Sequence, residues 1–182
     1  MDELGTILGI WAHPDDEAYL SAGLMARAVR NGSRVVCVTA TRGEGGSMDE
    51  EKWPPEQMGE VRTAELERSL EILGVREHFW LDLPDIDMDT GLPEDGYERV
   101  RDLVEDVRPD TILTFGPDGM TGHQAHKSVS SWATEALAVI DAVSAKRSSV
   151  ASSGRPTISH ASGQYFAAWR QAIDTNLSSL VR

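Results

Sequence analysis

The sequence predicts an α/β fold: a parallel sheet with helices on both faces and the strand order 3-2-1-4 at its centre. Two observations carry this. Short apolar runs alternate along the chain with segments of helical periodicity. Each apolar run is followed directly by a cluster of polar, chemically capable residues, as expected where the C-terminal ends of parallel strands share one ligand-binding edge.

Thr6 to Trp11 (TILGIW) is the first buried-strand candidate. Glu17 to Arg30 follows as a helix with Leu20, Leu24 and Ala28 on one stripe, stopped by Asn31-Gly32. Arg34 to Thr39 (RVVCVT) is the second strand, and Arg42 to Pro55 a Gly-rich, acidic loop. Glu56 to Leu73 places Leu66, Leu70 and Leu73 on one helical face, with Gly74 as its stop. His78 to Leu83 is a short third strand. Glu94 to Val107 is an amphipathic helix with Val100, Leu103, Val104 and Val107 together. Thr111 to Phe115 is the fourth strand, and Val129, Trp132, Ala133, Ala136, Leu137 and Ile140 mark the fourth helix.

The composition then shifts. Ser144 to Gln164 is rich in Ser, Ala and Gly and reads as a linker or long loop. Tyr165 to Val181 has the spacing of a last helix. The chain therefore divides into a domain over 1–143 and a tail over 144–182 packed on the same domain.

Bulk properties bound the function. The 182 residues, 40% of them hydrophobic, suffice for one domain with a sizeable core. A formal net charge of -13 opposes binding to phosphate backbones or anionic lipids. No apolar stretch approaches the roughly 20 residues of a membrane span. The lone Cys37 lies in an apolar strand and suits a reducing compartment, and no signal peptide precedes the first strand. These features predict a cytoplasmic protein with no nucleic-acid or membrane partner; a homo-oligomer is left open.

The polar clusters suggest the chemistry. Ala12 to Glu17 follows the first strand, Thr41 to Gly46 the second, Leu83-Pro84-Asp85 the third and Gly116 to His126 the fourth. With strands one and four adjacent, His13 and Asp16 face His123 and His126 across the switch point. Either spacing alone has a simpler explanation, such as helix capping by Asp16 or two histidines on one helix face. Together they offer imidazole and carboxylate donors, the set that Zn²⁺ accepts and Mg²⁺ or Ca²⁺ does not prefer. Gly43, Gly45 and Gly46 follow neither a P-loop nor a GxGxxG pattern, so phosphate or dinucleotide binding is not predicted.

Ala12-His13-Pro14-Asp15-Asp16-Glu17 resembles the signature of the N-acetylglucosaminyl deacetylase family named after LmbE and PIG-L, which includes the deacetylases of mycothiol and bacillithiol biosynthesis and of glycosylated natural products. Thr41 to Gly45, Val61-Arg62-Thr63-Ala64-Glu65 through Leu73-Gly74-Val75, and Pro109-Asp110 through Gly122-His123-Gln124-Ala125-His126 match in the same order, covering about residues 5 to 135. The resemblance implies a Rossmann-like domain and a zinc-dependent deacetylase of an N-acyl amino sugar or related small metabolite. It implies His13, Asp16 and His126 as metal ligands and Asp15 as general base. His123 would stabilise the tetrahedral intermediate and protonate the leaving amine. By the resemblance Arg62 and Asp85 would contact substrate, while the residues read alone leave a salt bridge from Arg62 to the acidic loop equally open. Glu44, by its place in the loop at the same edge, would hydrogen-bond a ligand, brace the metal loop or stand as a solvated loop residue. One departure stands out. Members commonly carry Asp directly before the last histidine, where this chain has Ala125. Asp118 is a candidate substitute. The departure motivates a second reading, a catalytically weakened relative serving as a binding or assembly subunit.

Overall fold

A computed structural model describes residues 4–86, 89–147 and 157–161. Its sheet has five strands in the order β3-β2-β1-β4-β5, all pairs parallel. They are β1 (Ile7–Trp11), β2 (Val35–Thr39), β3 (Glu77–Trp80), β4 (Thr111–Phe115) and β5 (Thr157–Ala161). The helices are α1 (Asp16–Arg30), α2 (Pro55–Leu73), α3 (Asp95–Val107) and α4 (Gln124–Arg147). The predicted central order 3-2-1-4 is the observed one.

Every residue of β1, β2 and β4 is buried, as central parallel strands require when helices cover both faces. β3, at the sheet edge, is only partly covered. Trp11 at the end of β1 meets Phe115 at the end of β4 edge to face, with ring centroids 5.5 Å apart. This contact lies directly beneath the loops that carry the polar clusters.

The helices follow the predicted faces with one informative shift. On α1 the buried positions are Asp16, Glu17, Ser21, Met25 and Ala28, while Leu20 and Leu24 are only partly covered. The buried stripe begins with carboxylates because the first turn of α1 faces the site rather than the core. α2 ends as predicted at Gly74 (φ 76°), where the N–H of Val75 bonds back to Leu70 O at 2.9 Å. No described helix is long and apolar enough to cross a membrane.

The tail differs from expectation. α4 continues to Arg147, and 157–161 forms β5, paired in parallel along all of β4. The segment read as a loop over 144–164 therefore contributes a strand. Its Thr-Ile-Ser-His-Ala sequence has one large apolar residue, too little to signal a strand without the neighbouring β4. The helix predicted over 165–181 lies outside the described residues.

Candidate metal centre

The first polar cluster turns sharply between β1 and α1. Asp15 occupies the position before the helix with φ 105°, a conformation rarely adopted by a residue with a side chain. Its carboxylate does not cap the helix. The turn is held from several sides. The carboxylate of Asp16 accepts the His13 N–H at 2.8 Å, and that of Glu17 accepts the Asp15 N–H at 3.0 Å. Glu17 is 1% exposed and its other oxygen accepts Ser69 Oγ–H from α2 at 2.9 Å. Sequence reasoning gave Glu17 no role. A carboxyl at a helix start reads as a dipole partner, and its burial depends on α2 closing over it.

His13 and His126 meet across the β1–β4 seam despite 113 residues of separation. His13 Nδ1 lies 3.2 Å from His126 Nε2. The two carboxylate oxygens of Asp16 lie 3.6 Å from His13 Nδ1 and 3.5 Å from His126 Nε2. All three side chains are nearly buried. His126 Nδ1 donates to Gly119 O at 3.0 Å, which fixes the proton on Nδ1 and leaves Nε2 with its lone pair toward His13 and Asp16. The ring is held flat on Phe115, centroids 4.1 Å apart and planes within 8°. Gly119 O and Phe115 were not singled out in the sequence, because a backbone acceptor and a core aromatic leave no signature there.

His123 stacks on His126, centroids 4.8 Å apart, and lies 4.7 Å from the His13 ring. Among the described residues, His13, His123 and His126 form the group whose ligand atoms lie close enough together to hold one ion, so the group takes in His123 and leaves out Asp16, the carboxylate expected among the ligands. The expected carboxylate partner of His123 is absent. Ala125 is 1% exposed, and its backbone N–H donates to His123 Nδ1 at 3.3 Å. Asp118 does not substitute: its carboxylate accepts the Met120 N–H at 3.0 Å within its own turn. His123 is thus oriented by backbone, as a neutral ring with its proton on Nε2.

Electrostatics separate the three rings. Burial would lower the pKa of His13, but hydrogen bonding and charge from Asp16 and Asp85 outweigh it and raise it to about 9. His123 is lowered by burial and by its two imidazole neighbours, and His126 chiefly by burial. Asp15 is raised by burial, against the opposing pull of Arg62. In Asp85 burial is outweighed by His13 and the carboxyl is held below its usual value.

Arg62 faces inward from α2. It donates to Asp15 Oδ2 at 2.8 Å, Pro14 O at 2.6 Å and Gly43 O at 3.3 Å. Its guanidinium is engaged within the loop cluster. Glu44 links loops: its carboxylate accepts the N–H of Asp85 and of Arg42, each at 3.1 Å. Asp85 lies against His13, Oδ1 to Nε2 3.5 Å, and its other oxygen accepts the Gly45 N–H at 3.2 Å. Remote from this cluster, His78 bonds Thr39 Oγ1 at 3.0 Å and stands edge-on to Trp80.

The signature of the PIG-L family, described as GlcNAc-PI de-N-acetylase, matches residues 8–137. The chain belongs to the PIG-L family. Among curated PIG-L relatives, the 1D-myo-inositol 2-acetamido-2-deoxy-alpha-D-glucopyranoside deacetylase of Kineococcus radiotolerans is 33% identical over 165 residues, covering 75% of this chain and 46% of its own. The Corynebacterium diphtheriae protein of the same name is 33% identical over 141 residues, covering 65% and 47%. The chain thus spans about half the length of these relatives. Among solved structures, N,N'-diacetylchitobiose deacetylase from Pyrococcus horikoshii superposes with a TM-score of 0.69 at 23% identity, covering 86% of this chain and 59% of that one. A 4-carboxy-2-hydroxymuconate hydratase from Pseudomonas putida gives 0.68 at 21%, covering 85% and 64%. The PIG-L fold is therefore shared by proteins named for different reactions, and the site must carry the argument about chemistry.

Proposed function

We propose that this PIG-L protein is a zinc-dependent deacetylase or amidase that hydrolyses the amide of an N-acyl amino sugar or a related small metabolite. The observation that carries the reading is the opposition of His13 Nδ1 and His126 Nε2 at 3.2 Å with one oxygen of Asp16 turned to each. Two imidazoles and a carboxylate are the donor set of a catalytic zinc site, which leaves a position for water. His13, Asp16 and His126 would hold the ion. When bound, zinc brings the pKa of a water to about 7 and polarises the acyl carbonyl.

The remaining residues divide the work. Asp15 takes the proton of the attacking water; its burial favours proton uptake, while Arg62 keeps the carboxylate oriented. His123, neutral with its proton on Nε2, donates a hydrogen bond to the oxygen that becomes anionic. Burial and the two neighbouring imidazoles disfavour the imidazolium form of His123, and Ala125 offers no carboxylate to support it, so the ring carries little extra proton to give. Asp15, protonated in the first step, returns that proton to the leaving amine. Glu44 braces the loops beside the site. The single cysteine, free and buried, suits a reducing compartment, and we assign the protein to the cytoplasm on that ground. We also read 1–143 as the catalytic unit, with the tail completing it.

Ala125 favours a second reading, a catalytically weakened member that serves as a binding or assembly subunit. The test is to measure zinc stoichiometry, then amine released by the zinc-loaded protein from N-acetylated amino sugars. One zinc per chain with turnover supports the enzyme. One zinc with no turnover supports the weakened member, and no zinc overturns the zinc-dependent enzyme.

A further inference from the structure

The two facing histidines are held differently on their outer sides. His126 directs its outer nitrogen at a backbone carbonyl, Gly119 O, 3.0 Å away. His13 directs its outer nitrogen, Nε2, at Asp85 Oδ1, 3.5 Å away, where both side chains are less than a tenth exposed. Among the described residues that buried Nε2 has no fully formed hydrogen bond. Asp85 is the acidic group facing it, and closing by roughly 0.5 Å brings the pair to ordinary N–H···O distance.

Asp85 is itself anchored. Its second oxygen accepts the Gly45 N–H at 3.2 Å, and its own N–H donates to Glu44 at 3.1 Å. The approach demands a glycine: a Cβ on residue 45 would stand 2.8 Å from Asp85 O. A chain of contacts therefore runs from the loop after β2, through the loop after β3, to His13 on the loop after β1. A carboxylate meant to contact substrate would present a free oxygen. Here one oxygen faces His13, the other faces Gly45, and the side chain is 7% exposed.

We infer that Asp85 is a positioning carboxylate of the metal centre: it accepts the Nε2 proton of His13 and so fixes Nδ1 as the lone-pair nitrogen turned toward His126 and Asp16. The assignment rests on the zinc reading above. It also gives the site an outer carboxylate on His13, in a chain that lacks one at position 125 for His123. Outer partners of this kind orient a metal-binding imidazole and raise its basicity.

The experiment compares wild type, Asp85→Asn and Asp85→Ala for zinc dissociation constant by chelator competition. Alongside it come the melting temperature of each metal-free protein, the visible spectrum of each cobalt-substituted protein, and KM and kcat on an N-acetylated amino sugar. Asp85→Asn is expected to weaken zinc binding by roughly 10–100-fold, to shift the cobalt spectrum and to leave metal-free melting unchanged. Glu44→Ala, which loosens Asp85 without touching its carboxylate, is expected to weaken zinc in the same direction by less. It serves as the second variant where Asp85→Ala fails to fold. Unchanged zinc affinity and spectrum in Asp85→Asn with a raised KM make Asp85 a substrate contact and overturn the inference while leaving the zinc reading intact. Loss of zinc as complete as in His13→Ala makes Asp85 a ligand and overturns it too. A wild type that takes up no zinc overturns both.

Discussion

Arg62 Nη2 donates to Asp15 Oδ2 at 2.8 Å, and the same nitrogen donates to the carbonyl of Pro14 at 2.6 Å. One guanidinium on α2 thus grips both the backbone and the side chain of the turn after β1. Pairs this exposed contribute only about 0–1 kcal/mol to stability, since Asp15 is half in solvent. The value of the contact lies in aim. Arg62→Lys is expected to keep zinc and the melting temperature but to lower kcat by roughly 10²-fold, the scale of an ångström-sized misplacement. Steady-state kinetics with metal analysis check this. A raised KM with kcat unchanged would return Arg62 to a substrate-binding role.

On the proposed reading, Asp15 and His13 serve two functions within one turn. Asp15→Asn is expected to retain zinc and lose roughly 10²–10⁴ in turnover, the range of a general base. His13→Ala is expected to lose zinc and turnover together. A fully active Asp15→Asn, measured as released amine per zinc-loaded chain, removes the general-base role.

Gly96 lies in the first turn of α3, against α4. A Cβ there would stand 2.3 Å from the Trp132 ring and 2.8 Å from Leu83 Cδ1. Helix propensity favours Gly96→Ala by about 1 kcal/mol. Overpacking costs about 1–3 kcal/mol. The second effect wins where the neighbours are buried, as Trp132 and Leu83 are, so Gly96→Ala is expected to be destabilising. Denaturant unfolding reads the sign directly.

His78 sets an acid limit. Burial, with Arg42 nearby, lowers its pKa from 6.5 to about 4. The folded ring stays neutral while the unfolded chain takes up a proton below pH 6.5. Its contribution to stability is therefore fully present above pH 6.5 and is lost as pH falls toward 4. Denaturant midpoints between pH 7 and 4 should fall less steeply in His78→Gln than in wild type.

Much of this was legible in the sequence. The unbroken apolar runs gave β1, β2 and β4, and crossover handedness then placed β1 beside β4 and brought His13 and Asp16 to His126. What was hidden depends on neighbours. Glu17 is a surface-type residue until Ser69 and the Asp15 amide enclose it. Asp85 is expected at the substrate from resemblance alone; that its two oxygens face His13 and Gly45 depends on three loops meeting and leaves no mark in the sequence. β5 carries too little apolar pattern of its own and takes its form from β4. The α1 stripe was displaced because the carboxylates at its start serve the site, against the usual sorting of charge toward solvent.

The seam between β1 and β4 gives the histidine pair a second consequence. An ion gripped by both His13 and His126 closes a loop of 113 residues, much as a covalent cross-link would. Nearly all of that loop's entropy is already spent by the folded sheet, so the unfolded chain cannot recreate the grip cheaply. Such an ion rivets the first crossover of the fold to the last described one, and its release to a chelator would register the integrity of the whole sheet.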